Sequence, residues 1–519
     1  MEHFSQALKL AFDFNHLTLV FFGTLVGILV GAMPGLSVIM GLTLILPFTF
    51  NIEASGGMFM LLGVFCGAIY GGSITAILIN TPGTANSAAT CLDGYPMANK
   101  MGQAGRALSI STFSSTFGGL FSSIALLGTA PILARLAKNF SSPEYFALSI
   151  FGLSIVTRVS SKSIVKSLIG AVLGLLFATV GLDLFSGVPR FTFGTIYLTG
   201  GIAYIPLMIA FYAFSQGIAT TEESRSGLKR EVQQKLDSIL PRWSDIKQIF
   251  PTVLRSSVIG VVIGAIPGTG GDIASWVGYN EAKRWSKHPE KFGTGVPEGI
   301  AAPEAANNAI SGGALIPLLT LGIPGDAATA VMLGAFMMHG IIPGPTLFLE
   351  HAVHVYTIII GMFIANFLMG FLGFCGLRLF AKIPNIPVPA LLPMVFIFCF
   401  VGTFALNNNI NDIFFMIVAG VVSFYMIKLD FSMPPIILGL ILGSITEKNL
   451  ARSLIISDGD WTVFFRRPIS CLLLLVAMVT LFLPMITWLV KALRQKGRCA
   501  DLDLDGEGGE NHENESVGL

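Results

Sequence analysis

Long stretches of the chain alternate with short polar interruptions. Leu17 to Ile52, Ala54 to Leu92, Ala107 to Pro131, Phe191 to Thr221, Val355 to Leu377 and Ile469 to Val490 contain no Asp, Glu, Lys or Arg. One bilayer crossing as a helix takes about 20 such residues. Several of these runs are long enough for two passes, or for one pass plus a segment that enters and leaves on the same side. The pattern predicts an all-α polytopic membrane protein. Composition agrees: 53% of the 519 residues are hydrophobic and 12% are charged, about half the charged share of a soluble domain. A soluble globular enzyme is excluded.

The most informative pattern is internal. Gly27, Gly31, Ala32, Pro34 and Gly35 recur as Gly260, Gly264, Ala265, Pro267 and Gly268, 233 positions later. Downstream, Gly71-Gly72 precedes Pro82-Gly83 much as Gly312-Gly313 precedes Pro324-Gly325, the Pro-Gly pair now offset by 242. The added residues fall in the interval holding Lys283 to Gly295, which reads as an enlarged loop. On its own, G-x-x-x-G only marks close helix contacts. Two ordered matches per half predict two homologous repeats: 1–219, then a basic loop at 220–247, then 248–498, with an acidic tail at 499–519.

Proline inside an apolar run removes a backbone donor and clashes with the preceding turn, and the glycine after it reaches conformations closed to other residues. Helices should break at Pro34-Gly35, Pro82-Gly83, Pro267-Gly268 and Pro324-Gly325. Unpaired N–H groups at such breaks attract anions, and free carbonyls attract cations, so matched breaks point to a central substrate site. Asn80, Thr81 and Thr84 flank the break in the first half. In the second half, Asn307 and Asn308 fall at helical spacing with Glu304 on one face, in a tract so rich in small residues that it reads as a pathway-lining segment or as an interfacial loop.

Asp272, Glu304 and Asp326 are carboxylates beside or between these breaks. Carboxylates at membrane depth are costly and usually handle ions, which makes the three candidates for a coupling-ion site. Either aspartate could instead cap the helix that starts there. Asp93-Gly94-Tyr95-Pro96, with Lys100 and Arg106, reads as a loop returning to the surface.

Charge and motifs remove other classes. A formal charge of +1 gives no reason to expect nucleic acid as a partner. No phosphate-binding loop and no His/Cys metal pattern occur, so no cofactor is expected beyond a coupling sodium ion or proton. His288 lies in the enlarged loop, and His339, His351 and His354 lie near span ends. Six cysteines without paired spacing read as packing residues. The start lacks the order of a cleaved secretory signal, so the first span is expected to be kept. Basic residues at 225–247 and 491–498 place both segments in the cytoplasm. An even number of crossings between them favours parallel repeats over inverted ones.

With these residues in view, the chain closely resembles the large membrane subunit of the tripartite tricarboxylate transporter family, the TctA type. The strings that carry the resemblance run from Gly31 to Ser37, Tyr70 to Thr84, Asp93 to Pro96, Ile263 to Gly268, Glu298 to Asn308 and Leu319 to Gly325. The resemblance implies a bacterial inner-membrane permease of about 12 spans. It also implies a small four-span membrane subunit and a periplasmic solute-binding protein as partners, an organic carboxylate such as citrate as substrate, and uptake driven by an ion gradient. It does not assign ligands residue by residue. Two rivals remain at this point: an intramembrane aspartyl protease using Asp272 and Asp326, and a passive channel.

Overall fold

The computed structural model describes residues 2–137, 139–159, 163–183, 185–224 and 240–482. Most of the basic loop and the whole acidic tail lie outside them. Helices dominate, with a two-residue-per-strand hairpin pairing Gly181–Leu182 with Pro189–Arg190.

In the first half, α1 (Glu2–Ala11) and α2 (Phe14–Gly31) lead to the first Pro-Gly, after which α3 (Val38–Ile45) begins on a Ser37 cap. Then come α4 (Ala54–Ile79), the second Pro-Gly, α5 (Cys91–Tyr95), α6 (Ala104–Ala137), α7 (Ser142–Val159), α8 (Ile164–Ala178), α9 (Tyr204–Met208) and α10 (Ser215–Ser224). The second half runs α11 (Trp243–Gly264), Pro-Gly, α12 (Gly270–Trp285), α13 (Pro297–Leu321), Pro-Gly, α14 (Ala327–Met338), α15 (Leu347–Glu350) and α16 (Ala352–Phe380). It continues with α17 (Val388–Asn407), α18 (Ile410–Lys428) and α19 (Pro434–Ile456). Among the described residues, 7 helices are long and apolar enough to cross a membrane.

Side-chain pairs give the directions. Phe59 and Tyr70 of α4 meet Gly361 and Gly373 of α16, so these two helices run the same way. Along α6, Thr112, Thr116 and Gly119 meet Gly373, Gly370 and Asn366, so α6 runs against both. Ser115, Gly118 and Ser122 of α6 meet Glu304, Ala305 and Gly312, so α13 runs with α6. α4 and α13 therefore run in opposite directions.

Glycines let each long helix take a hairpin against it. Gly23, Gly27 and Gly31 of α2 lie on Met60, Val64 and Ala68 of α4, in parallel. After the break the chain turns back, and Thr49 reaches Gly57 near the start of α4. Likewise Gly260 and Gly264 of α11 lie on Ala306 and Gly313 of α13, and α12 returns with Gly271 at Asn307 and Gly278 at Ala302. The first Pro-Gly of each half, Pro34-Gly35 and Pro267-Gly268, thus sits at the tip of a hairpin whose two arms start and finish at the same end.

The ends can be told apart. Lys428, at the end of α18, pairs with Glu222 beside the basic loop at 2.7 Å. At the start of α18, Asp412 accepts a 2.6 Å bond from Tyr197, which follows the small hairpin. The small hairpin and the basic loop are therefore on opposite faces.

This layout corrects the reading of parallel repeats. That reading counted crossings only between the two basic clusters. α2 and α11 open the two halves and lie parallel to α4 and α13, which themselves run in opposite directions. The second half therefore starts from the opposite face to the first; the second basic segment, 491–498, lies outside the described residues.

Candidate functional site

The breaks of the two halves have matching backbones. Gly35 and Gly268, after their prolines, have φ of 86° and 84°. Asn80 ends α4 and Gly322 ends α13, both left-handed, at φ 54° and 68°. A side chain at Gly83 would collide with the Gly31 carbonyl and meet the Cα of Gly72, and one at Gly325 would meet the Gly264 carbonyl and the Cα of Ala314. These contacts correct the sequence pairing by one position. Gly71 corresponds to Gly313, and Gly72 to Ala314.

The halves meet at these breaks. Gly271, at the start of α12, lies between Asn86, just past the first-half break, and Asn307 on α13. α3 in turn touches α14. Of the two readings of 297–309, the interfacial loop falls, since the segment is the first part of a continuous 25-residue helix. Asn307 within it is fully buried, and neither its amide nitrogen nor its oxygen has a partner among the described residues. The buried Thr84 and Ser275 hydroxyls and the Asn308 amide oxygen are also unpaired. Buried polar atoms in native structures are almost always satisfied. A cluster of unsatisfied ones where two chain breaks meet is what a ligand site requires.

The other candidates fall into three groups. Pro34, Thr81 and Pro82 are half-buried, and Gly35 and Asn80 are exposed beside the first break. Pro267 and Gly268 are half-buried, with the Gly268 N–H donating to the Gly325 carbonyl at 2.7 Å, and Pro324 and Gly325 are buried. Of the acids, Asp326 caps α14: its Oδ1 accepts from the Thr329 N–H at 2.8 Å and the Thr329 hydroxyl at 2.7 Å. Asp272 is exposed in the first turn of α12, a helix that begins without a side-chain cap. Glu304 is fully buried, its Oε1 accepting from Thr90 at 2.6 Å and its Oε2 from Ser115 at 2.9 Å.

Asp93 overturns its reading as part of a surface loop. It is fully buried and accepts the N–H groups of Gly293, Gly295 and Val296 and the hydroxyl of Tyr279. The enlarged second-half loop is gathered around this one carboxylate at the start of α13. Nearby, Arg106 clasps Asp245 at 2.7 and 2.8 Å, tying the start of α6 to the start of α11.

Sequence reasoning placed Asn86 beside the break and passed over Ser275, Thr90 and Ser115. The signal for Ser115 was present as a run of hydroxyl residues, 109–116, inside a charge-free stretch. Cys66 and Cys399 are buried and unpaired, as packing residues should be. Among the described residues no cluster of His, Cys, Asp and Glu could hold a metal.

The profile of the tripartite tricarboxylate transporter TctA family matches residues 17–438. The chain belongs to this family. As a TctA-family protein it is a component of a transporter and not an enzyme, so the protease reading falls. An uncharacterised 52.8 kDa protein from the region 3' of ttuC' in TAR-I of Agrobacterium vitis is 38% identical over 90% of this chain and 92% of its own length. A second uncharacterised Agrobacterium vitis protein, from the corresponding TAR-II region, is 39% identical over 44% of this chain and 94% of its own length. No solved structure matches.

Proposed function

We propose that this TctA-family protein forms the membrane pathway through which a tripartite system imports citrate-like organic carboxylates across the bacterial inner membrane. A periplasmic solute-binding protein delivers the anion, a small four-span membrane subunit completes the complex, and a sodium ion or proton moves with the substrate. The two halves act as inverted repeats that expose the site to each face in turn.

The observation that carries this reading is Asn307. Burying an amide with both ends unpaired is costly, and a carboxylate beside it removes the cost on the N–H side. The uncapped start of α12 adjoins the same place, through Gly271, and presents free backbone N–H groups with the positive end of the helix dipole. The other break helices are less available to an anion, since Ser37 caps α3 and Asp326 caps α14. Thr84, Ser275 and Asn308 supply further hydrogen bonds. Glu304, Asp272 and Asp326 supply the negative charge for a coupling ion, whose positive charge offsets that of the substrate.

Uptake of labelled citrate and a panel of other carboxylates tests the proposal, in cells expressing this subunit with its partners. The expected result is accumulation against the concentration gradient that collapses when the sodium and proton gradients are dissipated. Downhill equilibration alone would instead make the protein a channel. Failure to accumulate any carboxylate with folded partners present would contradict the proposal.

A further inference from the structure

Glu304 stands where α13 of the second half crosses α5 and α6 of the first. It has no measurable exposure. Among the described residues no Lys, Arg or His lies within ion-pair distance of it. The ionisable groups facing it are few. On α4 the Tyr70 hydroxyl shares a 2.7 Å hydrogen bond with Thr112. On α5 stand the half-buried Cys91, and Asp93, whose carboxylate is fully engaged one helical turn before Glu304, at Gly299. From α12, Tyr279 donates to Asp93. α6 offers only hydroxyls, Ser111 and Ser115.

A carboxylate so placed must be neutralised by a proton or by a bound cation, because an unpaired buried charge is prohibitive. The spacing separates these two. Oxygen ligands stand about 2.3–2.6 Å from a hard cation, so in a six-coordinate shell neighbouring ligands are roughly 3.3 Å or more apart. The hydroxyls of Thr90 and Ser115 lie 2.6 and 2.9 Å from the Glu304 oxygens, which is hydrogen-bond spacing, closer than two ligands of one six-coordinate ion.

We infer that Glu304 carries the proton that drives uptake. This rests on the carboxylate-transport reading and deepens it by naming the ion and its residue. Asn307 lies one helical turn along the same face, so an ionised Glu304 repels a carboxylate at Asn307 and a protonated one does not. The anion and the proton therefore bind together. On the outward side a proton from water forms an O–H bond to a Glu304 oxygen. On the inward side that bond breaks and the proton returns to water, one proton per substrate with no change of oxidation state. Thr90 links Glu304 to the first-half break, which ends at Gly83 seven residues earlier, and its hydroxyl can both accept and donate.

The test uses the full complex in proteoliposomes, comparing Glu304→Gln with the unaltered protein. Glutamine keeps the volume but cannot release a proton. Exchange of internal for external labelled substrate should continue, because exchange needs no deprotonation. Uptake driven by a pH gradient should fall about tenfold or more and lose its pH dependence. Adding substrate to the unaltered complex in weak buffer should alkalinise the outer medium, a measurement independent of whether the variant folds. Gradient-driven uptake preserved in Glu304→Gln, or unaltered uptake that follows sodium and ignores pH, overturns the inference while leaving carboxylate transport in place. A complex that accumulates no carboxylate overturns both.

Discussion

Asp93 and Gly295 are separated by 202 positions and joined by a 2.7 Å hydrogen bond from the glycine N–H to the carboxylate. This bond and its neighbours at Gly293 and Val296 fasten the segment after the first-half break to the start of α13, the helix that carries Glu304 and Asn307. The candidate site is thus assembled across the halves, and its rigidity depends on a residue outside it.

Removing the Asp93 carboxylate strands several backbone donors at once. Asp93→Ala should lower stability by about 3 kcal/mol or more, since each hydrogen bond to a charged group contributes roughly 1.5–3 kcal/mol. Tyr279→Phe removes one neutral donor and should cost about 1 kcal/mol. Denaturant unfolding of the detergent-purified protein measures both, and equal effects would contradict the arrangement.

The matched break glycines should respond alike. Gly83→Ala and Gly325→Ala each force a methyl against a backbone carbonyl or Cα, at an expected cost of about 1–3 kcal/mol. Gly128→Ala, where nothing lies within 4 Å, should stay within about 0.5 kcal/mol of the unaltered protein. Thermal unfolding in detergent compares the three.

The Arg106–Asp245 clasp predicts strong coupling. Asp245 is nearly inaccessible, with a side-chain exposure of 4%, so Asp245→Asn should cost about 3 kcal/mol by removing the counter-charge of the guanidinium, which keeps its bond to Gln103. Adding Arg106→Gln should cost much less than a second independent loss. A double-mutant cycle reads this, and simple additivity would show that the pair does not act as a unit.

Much of this was legible from the chain. The Pro-Gly pairs marked all four breaks, Pro34-Gly35 and Pro82-Gly83 inside charge-free runs, and their spacing suggested two halves. Hydropathy could not show whether 17–52 makes two crossings or one hairpin, because a returning arm packed on a helix is as apolar as a span. That ambiguity hid the opposed directions of α4 and α13. Asp93 was misread because Asp-Gly-Tyr-Pro is turn chemistry locally, and the amides it collects arrive from some two hundred residues away. Glu304 and Asn307 stood out from their sequence alone. What the sequence could not supply was that Thr90 and Ser115 hydrogen-bond the first while no described residue pairs with the amide of the second.

The central claim is that a carboxylate binds at Asn307 between the two breaks. Concentration-dependent uptake by Asn307→Ala, matched to the unaltered protein for membrane expression, tests it most directly. Losing a hydrogen bond to a charged ligand costs about 1.5–3 kcal/mol, so the KM should rise roughly ten- to a hundredfold. An unchanged KM with normal expression would contradict the account.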